Sequence, residues 1–231
     1  MLQHLILQMQ RQENCPSDVF CTLNPLSHDN AQYVTTWGNT RLNTGSSTDW
    51  KTGVGGTIGT GPSGKYYFEV KWAAGDGYSI VGVLPIEQYW RCAGGDTGTD
   101  IYEKINGLQL NSGSTGWYYN YTSSNVSLPT VAVGTILSFA IDMDNKKMWA
   151  GKDGVWINSG NPATGATPTW SATEFGDSTW LSGAIPFAQG YQVSSDTTFQ
   201  FNFGNGYFES TAISSEGTNA SNIGKFEYDV P

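Results

Sequence analysis

Two stretches of the chain have residue types and spacings suited to chemistry. Gly59-Thr-Gly-Pro-Ser-Gly64-Lys65 has the spacing of a phosphate-cradling loop. Such a loop needs a Ser or Thr after the lysine for magnesium, and a helix whose N-terminus faces the phosphate. Tyr66 follows instead and opens a stretch of strand pattern, so nucleotide binding is not expected. Asp142-Met-Asp144-Asn145 resembles the start of a calcium loop. That loop requires an oxygen ligand at its fifth position and glycine at its sixth. Lys146 and Lys147 stand there, which leaves a hairpin turn as the reading. A serine or cysteine nucleophile needs a histidine base. The two histidines, His4 and His28, both fall near the start of the chain. Three cysteines, Cys15, Cys21 and Cys92, form no Cys-x-x-Cys pair, so neither a metal site nor a cofactor is expected. Spacing leaves open whether Cys15 and Cys21 pair, and reduced thiols in an intracellularly assembled protein are the default.

The elements that must hold any site are strands. Of 231 residues, 29 are Gly, 13% are aromatic and only 13% are charged. That is strand-and-turn composition, poor in the Ala, Leu, Glu and Lys of helical proteins. Residues 65–72 alternate most clearly. Tyr66, Phe68, Val70 and Trp72 share one face; Lys65, Tyr67, Glu69 and Lys71 share the other. Gly75-Asp-Gly77 then leads into a buried strand over Ile80–Leu84, and the two predict a hairpin. Leu137, Phe139 and Ile141 repeat the alternation, as do Phe199, Phe201 and Phe203. Residues 17–26 read as a first strand stopped at Asn24-Pro25, and no helix is predicted after residue 16. About a dozen short strands with turn signals every 8 to 12 residues predict two antiparallel sheets packed face to face. A net charge of -9 gives no basic footprint for nucleic acid or an anionic membrane surface. No run of about 18 apolar residues occurs, so membrane insertion is not expected.

Two groups of residues are candidates for contact with partners. Leu2, Leu5, Ile6 and Met9 follow helical spacing and predict a docking arm over residues 1–16. Tyr89, Trp90, Arg91, Trp117, Tyr119, Tyr121, Trp156 and Trp170 fall in or near loops. Exposed rings there would stack on sugar faces or anchor a protein interface; the alternative is that they cap the ends of the sandwich. The segment from Asn158 to Gly183 is long for a structureless loop, which points to a functional surface.

Four segments in order resemble the SPRY family, in the concanavalin A-like sandwich group. They are Gly64-Lys65-Tyr66-Tyr67-Phe68-Glu69-Val70, Ile80-Val81-Gly82-Val83, the strand–turn–strand from Gly134 to Gly154, and Phe201-Asn202-Phe203-Gly204. Together they span about residues 64–208, within a sandwich expected over 17–231. Residues 16–26, with Gly56 to Gly59, are similar to the lead-in of SPRY-type modules in tailed-phage structural proteins. The resemblance implies an all-β, two-sheet antiparallel sandwich of jelly-roll type, without shared catalysis, that binds protein partners through loops at one edge. For a phage protein it implies a fibre, adhesin or decoration subunit, assembled in the host cytoplasm and located in the virion. Its partners would be other virion structural proteins, further copies of itself, and host-surface glycan. A cellular adaptor that recognises a peptide motif is the alternative, though no RING, B-box or coiled-coil segment accompanies the domain. A glycan hydrolase is the third reading. The concanavalin-like hydrolases set Glu-x-Asp-x-Glu along one strand, whereas here Glu69 stands alone, followed by Lys71.

Overall fold

The computed structural model describes residues 20–27, 33–45, 53–75, 78–93, 105–111, 114–119, 122–123, 129–175, 180–191, 196–217, 219, 222 and 224–231. The docking arm with Leu2, Leu5, Ile6 and Met9 lies outside them, as do Tyr121, Cys15, His4 and His28.

Fifteen strands are formed by the described residues: β1 (Val34–Thr36), β2 (Arg41–Asn43), β3 (Val54–Gly55), β4 (Lys65–Ala74), β5 (Tyr78–Pro85), β6 (Asn106–Asn111), β7 (Ser114–Tyr119), β8 (Thr122–Ser123), β9 (Ile136–Asp142), β10 (Lys147–Lys152), β11 (Val155–Trp156), β12 (Ala184–Tyr191), β13 (Thr198–Asn202), β14 (Tyr207–Phe208) and β15 (Thr211–Ala212). They make a seven-stranded sheet, β1-β2-β13-β4-β9-β10-β11, a six-stranded sheet, β3-β12-β5-β6-β7-β8, and a small β14-β15 pair. Every pairing between named strands is antiparallel. The chain is an all-β sandwich, as its alternating pattern predicts.

The three predicted apolar rows lie side by side. In β4 and β9, Phe68 sits opposite Phe139 and Val70 opposite Leu137. In β13, Phe199 faces Trp72 and Phe201 faces Val70. The Phe68 and Phe139 rings stack at 5.0 Å. This face packs in one core with Val81 and Val83 of β5, Leu108 and Leu110 of β6, and Ala184 and Ala188 of β12. Each Val, Leu, Ile or Phe side chain among them contributes about 1.5–3 kcal/mol on full burial. Tyr66, counted with that row, is exposed: it stands at the start of β4, and its hydroxyl donates to Ser63 O at 2.9 Å instead of entering the core.

Four expectations are corrected. β4 and β5 do not form a hairpin; they belong to different sheets. Each presents an apolar row, and two such rows bury more when stacked across the sandwich than when paired edge to edge. Residues 20–26 form no strand beyond a bridge between Leu23 and Gly56, though the chain does turn at Asn24, whose Oδ1 accepts from Leu26 N–H at 3.0 Å. A helix does follow residue 16, α1 (Ile86–Ala93). The Asn158–Gly183 segment holds a short 3₁₀ turn (Ile157–Ser159) and α2 (Ala172–Phe175). Its aromatic residues Trp170, Phe175 and Trp180 point inward, with the last two rings stacked at 4.3 Å.

The two suspect motifs resolve as turns. Gly64 lies in the bend before β4, with no helix behind it. Asp142 closes the β9–β10 hairpin, its Oδ1 accepting from Asn145 N–H and its Oδ2 from Asn145 Nδ2, both at 2.9 Å.

Candidate binding site

The β10–β11 hairpin turns on Asp153 and Gly154, with φ of 47° and 80°. Two positive φ values in a two-residue loop match the right-handed twist of the strands, which is why Asp-Gly occurs here. The turn places Trp156 opposite Gly151, on the outer face of the seven-stranded sheet. With no side chain at Gly151, the indole lies against the strand: a Cβ there would stand 3.2 Å from the ring.

The same outer face carries Tyr67 and Glu69. Glu69 is fully buried, although the alternation of β4 assigns it to the solvent side. The covering element is the C-terminal segment, residues 224–231. Glu69 Oε2 accepts from the Glu227 N–H at 3.0 Å and Oε1 from the Tyr228 N–H at 3.0 Å. Asn202 Nδ2 donates to Oε2 at 3.1 Å, and the Tyr67 hydroxyl donates to Oε1 at 2.9 Å. Asn202 is a second fastening: its Nδ2 also reaches Lys225 O at 2.9 Å, while its Oδ1 accepts from the N–H groups of Gly204 and Gly206. The Phe226 ring meets Tyr67 edge-to-face at 4.8 Å. Tyr228 passes over Gly154, where a Cβ would come within 2.8 Å of its ring.

Burial pushes the Glu69 carboxyl above the usual carboxylate range, against the opposing effect of its four hydrogen bonds. Burial first, and then the Glu69 charge, push the Tyr67 phenol well above its ordinary value. A carboxyl whose folded value is raised binds more protons folded than unfolded at intermediate pH, so its contribution to stability is complete below the unfolded value and is lost as pH rises through the folded one. The difference in unfolding free energy between wild type and Glu69→Gln is therefore expected to shrink as pH rises above the ordinary carboxylate range, read from urea titrations at each pH.

Between the C-terminal segment and the hairpin lies a pocket of about 360 Å³. Trp156, Tyr67 and Tyr228 wall it, with Glu216, Glu227 and Asp229 at its C-terminal side. Trp156 and Tyr67 are edge-to-face at 6.4 Å and 75°. Trp156 also lines a wider, more open depression of about 610 Å³ with Lys152, Val155 and Asn158. It is half-buried and shared by both hollows.

The predicted contact residues are dispersed. Among those whose side chains are described, Trp156 alone lines this pocket. Trp90 and Arg91 lie in α1, and Trp117 and Tyr119 in β7 of the other sheet. Tyr89 and Trp170, expected on open loops, are buried, with 4% and 0% of their surface exposed. The Tyr89 ring fills the space over Gly55, and its hydroxyl accepts from Asn24 Nδ2 at 2.7 Å, which pins α1 to the six-stranded sheet. Trp170 exchanges backbone hydrogen bonds with Met148 and enters the main core. Cys21 is a free thiol with Sγ 3.3 Å from Ile58 O.

No family model matches the sequence, and no curated protein matches it. Among solved structures the chain is similar to the stonustoxin structure, with a TM-score of 0.51 and 12% identity over 78% of this chain and 28% of that one. It is also similar to the SPRY domain of human HERC1, with a TM-score of 0.49 and 15% identity over 73% of this chain and 91% of that one. At such identity the likeness is one of fold.

Proposed function

We propose that this chain is a non-enzymatic binding and scaffolding module, and that it serves as a structural protein of a tailed-phage particle: a fibre, adhesin or decoration subunit. The observation that carries the binding half is the pocket on the outer face of the seven-stranded sheet, which sets Trp156, Tyr67 and Tyr228 beside one another. Aromatic side chains held half in water are the usual anchors of an interface. The acids around them hold structure. Glu69 fastens the C-terminal segment, Glu227 accepts from the N–H and hydroxyl of Ser214, and Glu216 pairs with Lys225 at 3.2 Å. Such engagement favours recognition over acid–base work.

The virion half is supported by the sequence resemblance of residues 16–26 and Gly56 to Gly59 to phage modules. The module would meet neighbouring virion proteins, copies of itself and host-surface glycan, with residues 1–16 as the docking arm. Blotting of gradient-purified particles tests this. The chain is expected in particles, and a chain lacking residues 1–16 is expected to stay folded but remain in the soluble fraction. Absence of the full chain from particles rejects the virion role, and normal incorporation of the truncated chain rejects the arm.

A further inference from the structure

We propose that the pocket framed by Trp156, Tyr67 and Tyr228 receives a cationic side chain, the guanidinium of an Arg or the ammonium of a Lys on a partner protein. This rests on the reading of the chain as a binding module and names the chemistry of its partner.

The first reason is charge. Glu216, Glu227 and Asp229 line the pocket, and no Lys, Arg or His is among the described residues that line it. The Glu227 carboxylate is held by neutral donors, the N–H and hydroxyl of Ser214, so its charge is left uncancelled. The Glu216–Lys225 pair is mostly exposed, with side chains 54% and 64% open, and water screens it. Glu69 stands one hydrogen bond behind Tyr67. Burial and the carboxylates of Asp153, Glu227 and Glu69 all push the Tyr228 phenol up, which reports a negative potential on that wall.

The second reason is the aromatic wall. A cation near the face of Trp or Tyr is attracted by the ring quadrupole, the more so as the site is desolvated. Rings and carboxylates therefore act in the same sense on a cation. A phosphate or an acidic sugar would be repelled by the same charges. A neutral sugar could use the rings and the acceptors but would gain nothing from three like charges.

The test uses the full chain and three probes of matched size: a capped Gly-Arg-Gly peptide, the same peptide with neutral citrulline in place of Arg, and an uncharged disaccharide. Binding is followed by the Trp156 indole N–H resonance, assigned by its loss in Trp156→Phe. The Arg peptide is expected to shift it, with binding weakening at least about tenfold between about 0.05 M and about 0.5 M salt. Asp229→Asn is expected to weaken binding about fivefold to tenfold, and citrulline is expected to bind at least about tenfold more weakly. Equal binding of the citrulline peptide overturns the cationic assignment. Preferential binding of the disaccharide at Trp156 overturns it too, yet leaves the binding-module reading standing. If no probe shifts Trp156, and Trp156→Phe enters particles as well as wild type, the inference and the reading beneath it both fall.

Discussion

Replacing Glu69 with alanine is expected to lower the stability of the chain by about 3–5 kcal/mol, since buried backbone donors lose their acceptor and a cavity is left in its place. The size follows from what is left behind. Glu69 is wholly buried and accepts four hydrogen bonds, two of them from the consecutive backbone N–H groups of Glu227 and Tyr228. Alanine leaves those two N–H groups facing a void, while the Asn202 amide keeps Lys225 O and the Tyr67 hydroxyl keeps Ser138 Oγ. Each orphaned donor costs about 1–3 kcal/mol. The C-terminal segment can relieve that cost by lifting into water, at the loss of the Phe226 contact with Tyr67. Two readouts follow: a lower urea midpoint, and amide exchange at residues 227 and 228 that accelerates far more than exchange in β4 and β9. Gln at the same place is expected to fall between. Its carbonyl can take over one side of the carboxylate, but its NH2 must then face a backbone donor. An alanine variant within about 1 kcal/mol of wild type, with residues 227 and 228 still protected, would show that the segment is held by other means.

The same residue marks how far the sequence was legible. The rows Phe68–Trp72, Leu137–Ile141 and Phe199–Phe203 could be read because a sheet with one buried face repeats every two residues. Their placement as neighbours in one sheet follows from that shared face. Glu69 and Tyr67 could not be read, since they are polar positions on the opposite side of the same strand and local pattern assigns them to water. They are covered by residues about 150 positions away in sequence, and neither segment carries a period that announces the other. Trp156, read from sequence only as lying near a loop, follows the Asp153-Gly154 turn, and it is the tight hairpin there that sets the face on which it emerges. The inward placement of Tyr89 and Trp170 was not legible. An aromatic residue in a Gly- and Pro-rich stretch looks the same in sequence whether it points out to a partner or back into the core. Only the rest of the fold decides, here the bare backbone of Gly55 beneath Tyr89 and the free edge of β10 beside Trp170.

That edge makes Trp170 the second substitution with a large expected effect. β10 pairs with β11 only through Gly151 and Lys152. Its earlier residues are served by the 158–183 segment. Met148 N–H donates to Trp170 O at 2.9 Å, Trp170 N–H returns to Met148 O at 3.0 Å, and Ala150 N–H donates to Thr169 Oγ1 at 3.0 Å. The Trp149 indole N–H donates to Ala166 O at 2.8 Å, and Lys147 Nζ to Gly165 O at 2.8 Å. The segment thereby blunts a sheet edge that would otherwise offer unpaired groups to another chain. The buried indole of Trp170 anchors it there. Trp170→Ala is expected to cost about 3–5 kcal/mol, or about 10 °C in thermal midpoint, and to promote self-association through the uncovered edge. Trp156→Phe should do the reverse: the midpoint barely moves, and binding at the outer-face pocket suffers. The pair of variants separates a ring that holds the fold from one that faces a partner. If Trp170→Ala melted with wild type and lost binding instead, the inward placement of the long segment would be wrong, and the contact surface would have to be sought along β10.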